Sequence, residues 1–205
     1  DVIRLRDHFR CQPDIIELSN QLCDYNLNVH TGPASSAASD ALDREVWVES
    51  IEGQQEPWYG SQRNEAEAEF VATLVRDLID QGVAAETIGI LTPYRAQTTL
   101  LRRLLREVGV RVGDWEHNAS SQGAQGASGQ GPLLGTIHRL QGGERDVVIL
   151  STVATAPTSI AWLNERPNLM NVAVSRARDR LVIAGDVNAL AEGQYTRLLV
   201  NEPLG

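Results

Sequence analysis

Residues 136–151 read TIHRLQGGERDVVILS, a polar turn with two adjacent glycines that leads directly into an apolar run. The apolar half is typical of a strand buried on both faces of a sheet. Burial does not explain the polar half, because the segment QGGE at 141–144 combines backbone freedom with hydrogen-bonding side chains. In isolation this segment is consistent with an ordinary tight turn as well as with a binding loop.

Strands and helices alternate along the chain on both sides of this stretch. The predicted strands lie at about 45–51, 88–92, 133–137, 147–152 and 181–186. The predicted helices lie at about 13–25, 64–82, 93–109, 168–178 and 187–200. Several strands are almost wholly apolar, which favours a parallel sheet covered by helices on both faces. The sequence therefore predicts a three-layer α/β domain with a mainly parallel sheet.

Two stretches lack this patterning. Residues 31–43 are predicted to be a flexible loop, and residues 118–131, NASSQGAQGASGQG, a mobile insertion that cannot bury enough surface to offset its ordering entropy.

In parallel sheets the functional residues are expected at the carboxyl ends of strands. The candidate loops are therefore those that begin at Thr92, Thr136, Ser151 and Gly185.

Composition limits the classes of function. The net charge of −9 argues against a protein that grips nucleic acid over its whole surface, so any such contact must be local. No apolar run approaches the roughly 20 residues of a membrane helix, so we expect a cytoplasmic protein with no membrane partner. Cys11 and Cys23 are expected to be reduced thiols, and His138 has no partner at metal-ligand spacing.

The basic residues carry a further restriction. All 18 of them are arginines, and a P-loop needs the lysine of its G-x-x-x-x-G-K-[ST] pattern, so no complete P-loop is present. The chain starts without Met and is patterned from its first residues, so we expect a fragment of a longer protein. Arg102, Arg103 and Arg106 on one predicted helix favour a solvated face over a nucleic-acid contact.

Four stretches together resemble motifs IV, IVa, V and VI of the superfamily 1 helicases, most closely the Upf-like branch, which usually translocates 5′ to 3′. They are LRDHFRCQPDIIELSN (5–20), ILTPYRAQ (90–97), TIHRLQGGERDVVILS (136–151) and NVAVSRARDRLVIAGD (171–186). The resemblance implies that 1–205 is a single RecA-like helicase C-terminal domain. Its partner would be the first RecA-like domain of the same parent chain, which carries the P-loop and the Mg²⁺-binding acid.

Two arginines match the residues that contact the γ-phosphate of ATP in this family, Arg10 in HFR and Arg176 in SRAR. A γ-phosphoryl group that leaves ATP spreads negative charge over its oxygens, and an arginine from across a cleft stabilises it. Arginine suits this role because its planar group donates two hydrogen bonds and stays protonated. The alternative for Arg176 is an ion pair with an acid such as Asp179. Arg178 matches the family less well and has a structural role as its alternative.

The same resemblance assigns the QGGE segment to the nucleotide. Glu144 resembles the acid that accepts hydrogen bonds from the ribose hydroxyls, and Gln141 offers amide hydrogen bonds. Gly142 and Gly143 allow close backbone approach and dihedral angles that other residues avoid. The implied cofactors are ATP and Mg²⁺, bound mainly by the first RecA-like domain.

A second set of residues resembles the single-strand binding surface of the family. Thr136 and His138 resemble motif V residues that face the backbone of the strand, and Thr92, Pro93 and Tyr94 resemble the corresponding loop one strand away. Hydroxyls, backbone amides and a helix start suffice for phosphate contact without reading base sequence. Tyr94 either stacks on a base or packs against its own helix. The implied partner is single-stranded DNA or RNA.

The leading interpretation is the C-terminal motor domain of an ATP-dependent helicase or translocase, inactive as an isolated fragment. A non-hydrolytic nucleic-acid-binding or regulatory module derived from a helicase is the alternative, because no P-loop is present. An unrelated α/β nucleotide enzyme would require chance agreement at four motifs. The stretch LVIAGD at 181–186 resembles a Walker B strand, but Asp186 is interpreted as the end of the last strand.

Overall fold

The computed structural model describes residues 7–32, 34, 36–115, 131–139 and 143–201. The predicted insertion at 118–131, apart from Gly131, lies outside the described residues, and so do Gln141 and Gly142. The helices in the described part are α1 (Pro13–Cys23), α2 (Ala37–Ala41), α3 (Glu65–Asp80), α4 (Arg95–Glu107), α5 (Pro157–Asn164), α6 (Pro167–Val174) and α7 (Val187–Ala191). The strands are β1 (Asp7–His8), β2 (Asn28–Val29), β3 (Val46–Ser50), β4 (Glu56–Trp58), β5 (Ser61–Arg63), β6 (Ile88–Thr92), β7 (Gly113–Asp114), β8 (Leu133–Thr136), β9 (Arg145–Ser151) and β10 (Ala177–Gly185).

Six of these strands form one sheet in the order β3-β10-β9-β6-β8-β7, and every pair in it is parallel. The apolar run of the QGGE stretch is β9, which lies between β10 and β6 near the centre. Because it has helices on both faces, all four residues from Val147 to Leu150 are 0% exposed. The predicted α/β fold with a parallel sheet is confirmed.

Two hydrophobic cores lie on opposite faces of the sheet. Val148 and Leu150 point into the core formed with α1, α5, α6 and α7. Val147 and Ile149 point into the core formed with α2, α3 and α4. Successive strand residues face opposite sides, so one continuous apolar run supplies both cores. The helices thus fix both faces and leave the two edges where strands begin and end for function.

Helix α3 begins and ends much as its sequence predicts. The Asn64 side chain accepts a hydrogen bond from the Glu67 backbone N–H at 3.2 Å, and Gly82 beyond the helix has φ +95°. The reciprocal hydrogen bond of a capping box does not form here, because the Asn64 N–H donates to Gln97 Oε1 at 2.9 Å. Glu67 is left free to turn into the core.

Several predicted elements differ from the structure. Residues 31–43 contain the short helix α2, whose start is stabilised by a reciprocal capping box between Ser36 and Ser39. The helix predicted at 168–178 ends at Val174, because the Arg176 carbonyl accepts from the Arg145 N–H at 2.9 Å and the chain joins β10. Arg176 therefore lies in the short link before β10 and not on a helix.

The predicted terminal helix at 187–200 is also interrupted. Helix α7 ends at Ala191, and a short 3-10 helix spans Thr196–Leu199. Between them Gly193 lies so close to Asn164 that a Cβ there would be 1.9 Å from the amide nitrogen. Asp186 does not end β10 as expected; its side chain caps α7 by accepting from the Ala189 N–H at 3.0 Å.

The arginines of α4 form a solvated face, as the sequence favours. Arg103 pairs with Glu65 at 3.5 Å and with Glu107 at 3.3 Å, and Arg102 pairs with Asp114.

None of the helices in the described part of the chain is long and apolar enough to cross a membrane.

Candidate functional site

Arg10, Glu144 and Arg176 come together at the edge of the sheet where β9 and β10 begin. Gly143 and Glu144 directly precede β9, and Arg176 directly precedes its neighbour β10. The segment that carries Arg10 is held beside them because the Gln12 N–H donates to the Arg178 carbonyl at 2.9 Å. Glu144 and Arg176 therefore lie where the chain enters a strand, and not at the carboxyl ends where the candidate loops were expected.

Both arginines contact the same two-residue segment. Arg10 Nη1 donates to Glu144 Oε1 at 2.9 Å, although the two residues are 134 positions apart in sequence. Arg176 Nη1 donates to the Gly143 carbonyl and its Nε to the Val172 carbonyl, each at 3.3 Å. The Arg10 side chain is 70% exposed and that of Glu144 26%. The guanidinium groups thus gather at an accessible edge where an anionic ligand could reach them.

Arg178 lies next to this group and has a different partner. Its guanidinium group pairs with Asp146 on β9, and Nε donates to Oδ1 at 2.9 Å. The hydrogen bonds of Arg176 go to backbone carbonyls, which differs from the ion pair with Asp179 considered above. The contacts of Arg178 fit the structural alternative, since they tie β10 to β9.

Gly143 needs to be glycine for two reasons. Its φ of +78° is unfavourable for residues with a Cβ, and a Cβ there would lie 3.2 Å from Trp115 Nε1. Trp115 is only 1% exposed. The carbonyl that accepts from Arg176 therefore belongs to a glycine with positive φ that lies close to a buried ring.

The charged residues of this cluster also affect the pKa of the nearby Cys11 thiol. Burial raises the pKa of the Cys11 thiol to about 11, with a further contribution from Glu144, while Arg10, Arg176 and Arg178 oppose the shift. Cys11 and Cys23 are both free thiols. At neutral pH the Cys11 thiol is protonated and packs as a small hydrophobic side chain.

Phe9 was not singled out from the sequence. Its ring is 67% exposed and stacks on His30 with 5.0 Å between centroids. It lies one residue before Arg10 in the chain. An aromatic side chain in the polar stretch DHFR is the sequence signal that could have identified it.

The residues predicted to bind single-stranded nucleic acid lie at the opposite edge of the sheet, where β6 and β8 end. Thr92 and Thr136 are register partners at the ends of these adjacent strands. The Thr136 side chain is buried, and its hydroxyl has no hydrogen-bond partner among the residues that the structure describes. Thr92 is fully buried, and its hydroxyl accepts from the Tyr94 N–H at 3.4 Å. Thr92 therefore stabilises the backbone after β6. Its burial does not fit the prediction that it contacts single-stranded nucleic acid directly.

An open groove of about 650 Å³ runs along this edge. Pro93, Thr136 and His138 line it, together with Arg95 at the start of α4 and the tip of the β4–β5 hairpin. A neighbouring depression of about 370 Å³ is lined in part by Tyr94 and Trp162. The groove brings together three of the five residues predicted on this side.

Tyr94 packs against Trp162 of α5. Its ring centroid lies 5.5 Å from that of Trp162, and His138 lies at the same distance from Trp162. Burial, together with Arg166 and Arg95, lowers the pKa of His138, so this side chain is neutral at pH 7. His138 can therefore donate or accept hydrogen bonds in the groove but does not supply a positive charge.

A buried polar network lies behind the groove and was missed by the sequence reasoning. Glu67 Oε2 accepts from Ser151 Oγ and from the Val153 N–H, each at 2.8 Å. Gln97 Nε2 donates to Ser151 Oγ at 3.0 Å and so ties α4 to the end of β9. Burial raises the pKa of Glu67 to about 8. A glutamate in the first turn of an amphipathic helix resembles a capping residue, which conceals this role.

Comparison with known proteins places these features in a family. A family model described as an AAA domain matches residues 1–188. DNA polymerase alpha-associated DNA helicase A of Schizosaccharomyces pombe is 29% identical over 140 residues, which cover 68% of this chain and 18% of that protein. The 5′-3′ DNA helicase ZGRF1 of Mus musculus is 27% identical over 198 residues, which cover 94% of this chain and 10% of that protein.

A third relative and a solved structure agree with this assignment. The Regulator of nonsense transcripts 1 homolog of Drosophila melanogaster is 30% identical over 139 residues, or 67% of this chain and 11% of that protein. The C-terminal domain of a possible DNA helicase from Lactobacillus plantarum WCFS1 has the same fold, with a TM-score of 0.54, 15% identity, and 95% and 94% of the two chains covered. The chain spans less than a fifth of the length of these three curated relatives. The chain belongs to this AAA domain family, the C-terminal region of superfamily 1 helicases with Upf1-like relatives.

Proposed function

We propose that the chain is the C-terminal motor domain of an ATP-dependent DNA or RNA helicase or translocase. In this proposal Arg10 and Arg176 complete an ATP site whose P-loop belongs to the first RecA-like domain of the same parent protein. The observation that carries it is the convergence of both arginines on Gly143 and Glu144 at an open edge of the sheet. Relatives named as DNA helicases support the same class of activity.

The donors and acceptors at this edge suit one side of a nucleoside triphosphate. Two guanidinium groups can bind phosphate oxygens with charge-assisted hydrogen bonds, and the Glu144 carboxylate can accept from ribose hydroxyls. The exposed ring of Phe9 offers a flat surface for a nucleobase. In this proposal the Mg²⁺ site belongs to the first RecA-like domain, because the resemblance to superfamily 1 helicases implies that this domain carries the Mg²⁺-binding acid.

The arginines are held in a way that allows them to be released. The Arg10 side chain of the Arg10–Glu144 ion pair is 70% exposed, and ion pairs at the surface contribute roughly 0.2–1 kcal/mol. A triphosphate offers several charges to the same groups, so its binding can outweigh this contact. Closure of the two domains around ATP would then bring Arg10 and Arg176 to the phosphates. Opening after hydrolysis would then let the groove release the single-stranded nucleic acid and bind it again at a new position.

The test is the substitution Arg176→Ala in the full-length protein. We expect ATP turnover to fall by about three to five orders of magnitude while single-strand affinity stays within a few-fold of wild type. The matched control is Arg106→Ala, which removes an exposed arginine from the last turn of α4. Wild-type turnover in Arg176→Ala would refute the proposed role of this residue.

The second candidate is a non-hydrolytic nucleic-acid-binding or regulatory module with the same fold. It is favoured by one observation, the lack of any lysine that could complete a P-loop in this chain. It predicts that the full-length protein binds single strands but turns over no ATP. A strand-stimulated ATPase assay of the wild-type parent protein separates the two candidates.

A further inference from the structure

The tip of the β4–β5 hairpin carries an exposed aromatic residue in a strained backbone conformation. Tyr59 has φ +44° and is 95% exposed, and Gly60 beside it has φ +75°. Two consecutive positive φ angles are typical of the tight hairpin turn in which Asn or Gly is preferred at both positions. A bulky residue in this conformation is unfavourable, and among the described residues the exposed Tyr59 ring gains only an edge-to-face contact with Trp58 in compensation. The strain therefore suggests a role for the ring outside the fold.

The hairpin is fixed against the start of α4. Ser61 Oγ accepts a hydrogen bond from the Ala96 N–H at 3.2 Å. Arg63 lies 3.8 Å from the centroid of the Trp58 ring and pairs with Glu56 at 2.9 Å. Trp58 in turn contacts Tyr59 edge to face, with 5.2 Å between centroids. Trp58 is therefore held in place before any ligand binds, and it gives the exposed Tyr59 ring one fixed neighbour, which lowers the entropy cost of stacking.

These rings form one side of the 650 Å³ groove described above. Its remaining lining provides the groups that bind phosphate. Arg95 is exposed at the start of α4, a 13-residue helix whose N-cap side chain makes no capping hydrogen bond. Thr136 also lines the groove; it is only 6% exposed, and its hydroxyl has no partner within the described part of the chain. A buried hydroxyl without a partner among the described residues can accept a hydrogen bond from a ligand in the groove or donate one to it.

The groove differs in charge from the acidic chain as a whole. The chain has a net charge of −9, yet no Asp or Glu is among the described residues that line the groove. A surface with a positive and polar floor and an aromatic wall matches a polyanion that also carries flat rings. Single-stranded nucleic acid has this chemistry, with phosphates along its backbone and bases that stack on aromatic side chains.

We propose that Trp58 and Tyr59 form a base-stacking platform for the single strand, with Tyr59 making the direct contact. The inference rests on the proposed function, because the groove must hold the strand for its base to reach the hairpin tip. Stacking on an aromatic ring tolerates any base, so the platform adds affinity without adding sequence preference. It would fix one nucleotide against the C-terminal domain while Arg95 and Thr136 hold the adjacent backbone.

The platform is tested by Tyr59→Asn in the full-length protein. Asparagine removes the ring but suits positive φ, so the hairpin is expected to keep or gain stability. We expect about tenfold weaker binding of a fluorescent 20-nucleotide oligothymidine at constant salt. Binding of an abasic strand of the same length should stay within twofold, because only the phosphate contacts remain. Tyr59→Phe should bind both strands as wild type does.

The control is Tyr25→Asn, which removes another exposed tyrosine at the end of α1 and should change neither affinity. If the wild type binds both strands and Tyr59→Asn binds oligothymidine equally well, the platform is wrong and the strand-binding groove stands. If the wild type binds neither strand, both the platform and the proposed function are overturned. Thermal melting of each variant verifies that the protein is folded.

Discussion

At the scale of single residues, the candidate site depends on where two arginines find acceptors. Arg176 donates to the Gly143 carbonyl, and Arg10 donates to the adjacent Glu144 side chain. The position of that carbonyl is set by a backbone conformation that only glycine adopts easily. Gly143 is therefore a structural requirement of the site and more than a spacer in the turn.

Gly143→Ala tests this requirement by measuring the free energy of unfolding in urea. The positive φ alone is expected to cost about 1–2 kcal/mol, and the 3.2 Å approach to Trp115 Nε1 adds to it. Gly60→Ala is the matched control, because Gly60 has φ +75° and nothing within 4 Å of its missing Cβ. We expect Gly143→Ala to lose more stability than Gly60→Ala. Equal losses would mean that the turn relaxes away from Trp115 at no cost.

At the scale of elements, the end of β9 is joined to α3 and α4 by buried polar side chains. Glu67 accepts hydrogen bonds from Ser151 and from the backbone of Val153, which has the unusual φ of +67° for a β-branched residue. Such a conformation persists only where surrounding contacts enforce it. The Glu67 network is the contact that holds the chain in this geometry at the carboxyl edge of the sheet.

Glu67→Gln tests the cost of burying this carboxyl group. Burial raises the pKa of Glu67 from 4.5 to about 8 in the folded protein. Between these values the folded state binds more protons than the unfolded state, so the free energy of unfolding falls as pH rises through this window. The slope from one such group is at most about 1.4 kcal/mol per pH unit.

We therefore expect Glu67→Gln to have a flatter stability profile than the wild type between pH 4.5 and pH 8. Urea unfolding at a series of pH values measures it. Glu69→Gln is the control, because Glu69 lies on the exposed face of the same helix and should leave the profile unchanged. An unaltered slope in Glu67→Gln would show that the buried carboxyl group is already ionised at the lower end of this range.

At the scale of the whole molecule, the two proposed binding surfaces lie at opposite edges of one sheet. The arginine cluster lies where β9 and β10 begin, and the strand groove lies where β6 and β8 end. The sheet between them is close-packed on both faces and so resists internal deformation. If closure around a nucleotide moved the arginine cluster, the groove at the other edge of the sheet would therefore move with it, because the domain moves as a rigid unit.

A whole-molecule prediction follows for the 205-residue chain alone. With arginines but no P-loop lysine, it can contact only one side of a triphosphate, so we expect almost no ATP hydrolysis and weak nucleotide binding. Phosphate release in the presence of Mg²⁺ and single-stranded DNA measures the first, and calorimetric titration with ATP the second. Turnover by the isolated chain that rivals the parent protein would contradict the assignment of the P-loop to another domain.

The sequence by itself determined the fold class and the main helices. The apolar periodicity of α3 and α4 and the continuous apolar run of β9 are local signals, since burial on one or both faces leaves its pattern in consecutive residues. The arginine-only composition likewise predicted that the chain lacks a complete P-loop. The four motifs by themselves indicated the family.

Only the tertiary structure decided which residues meet. The pairing of Arg10 with Glu144 spans 134 positions, and the early end of α6 is set by hydrogen bonding of Arg176 to Arg145 on another strand. The β4–β5 hairpin and the burial of Glu67 left no local signature, because a polar residue looks alike in sequence whether it faces water or a buried partner. Contacts between distant segments depend on how the elements pack, and that information is not contained in any short stretch of the chain.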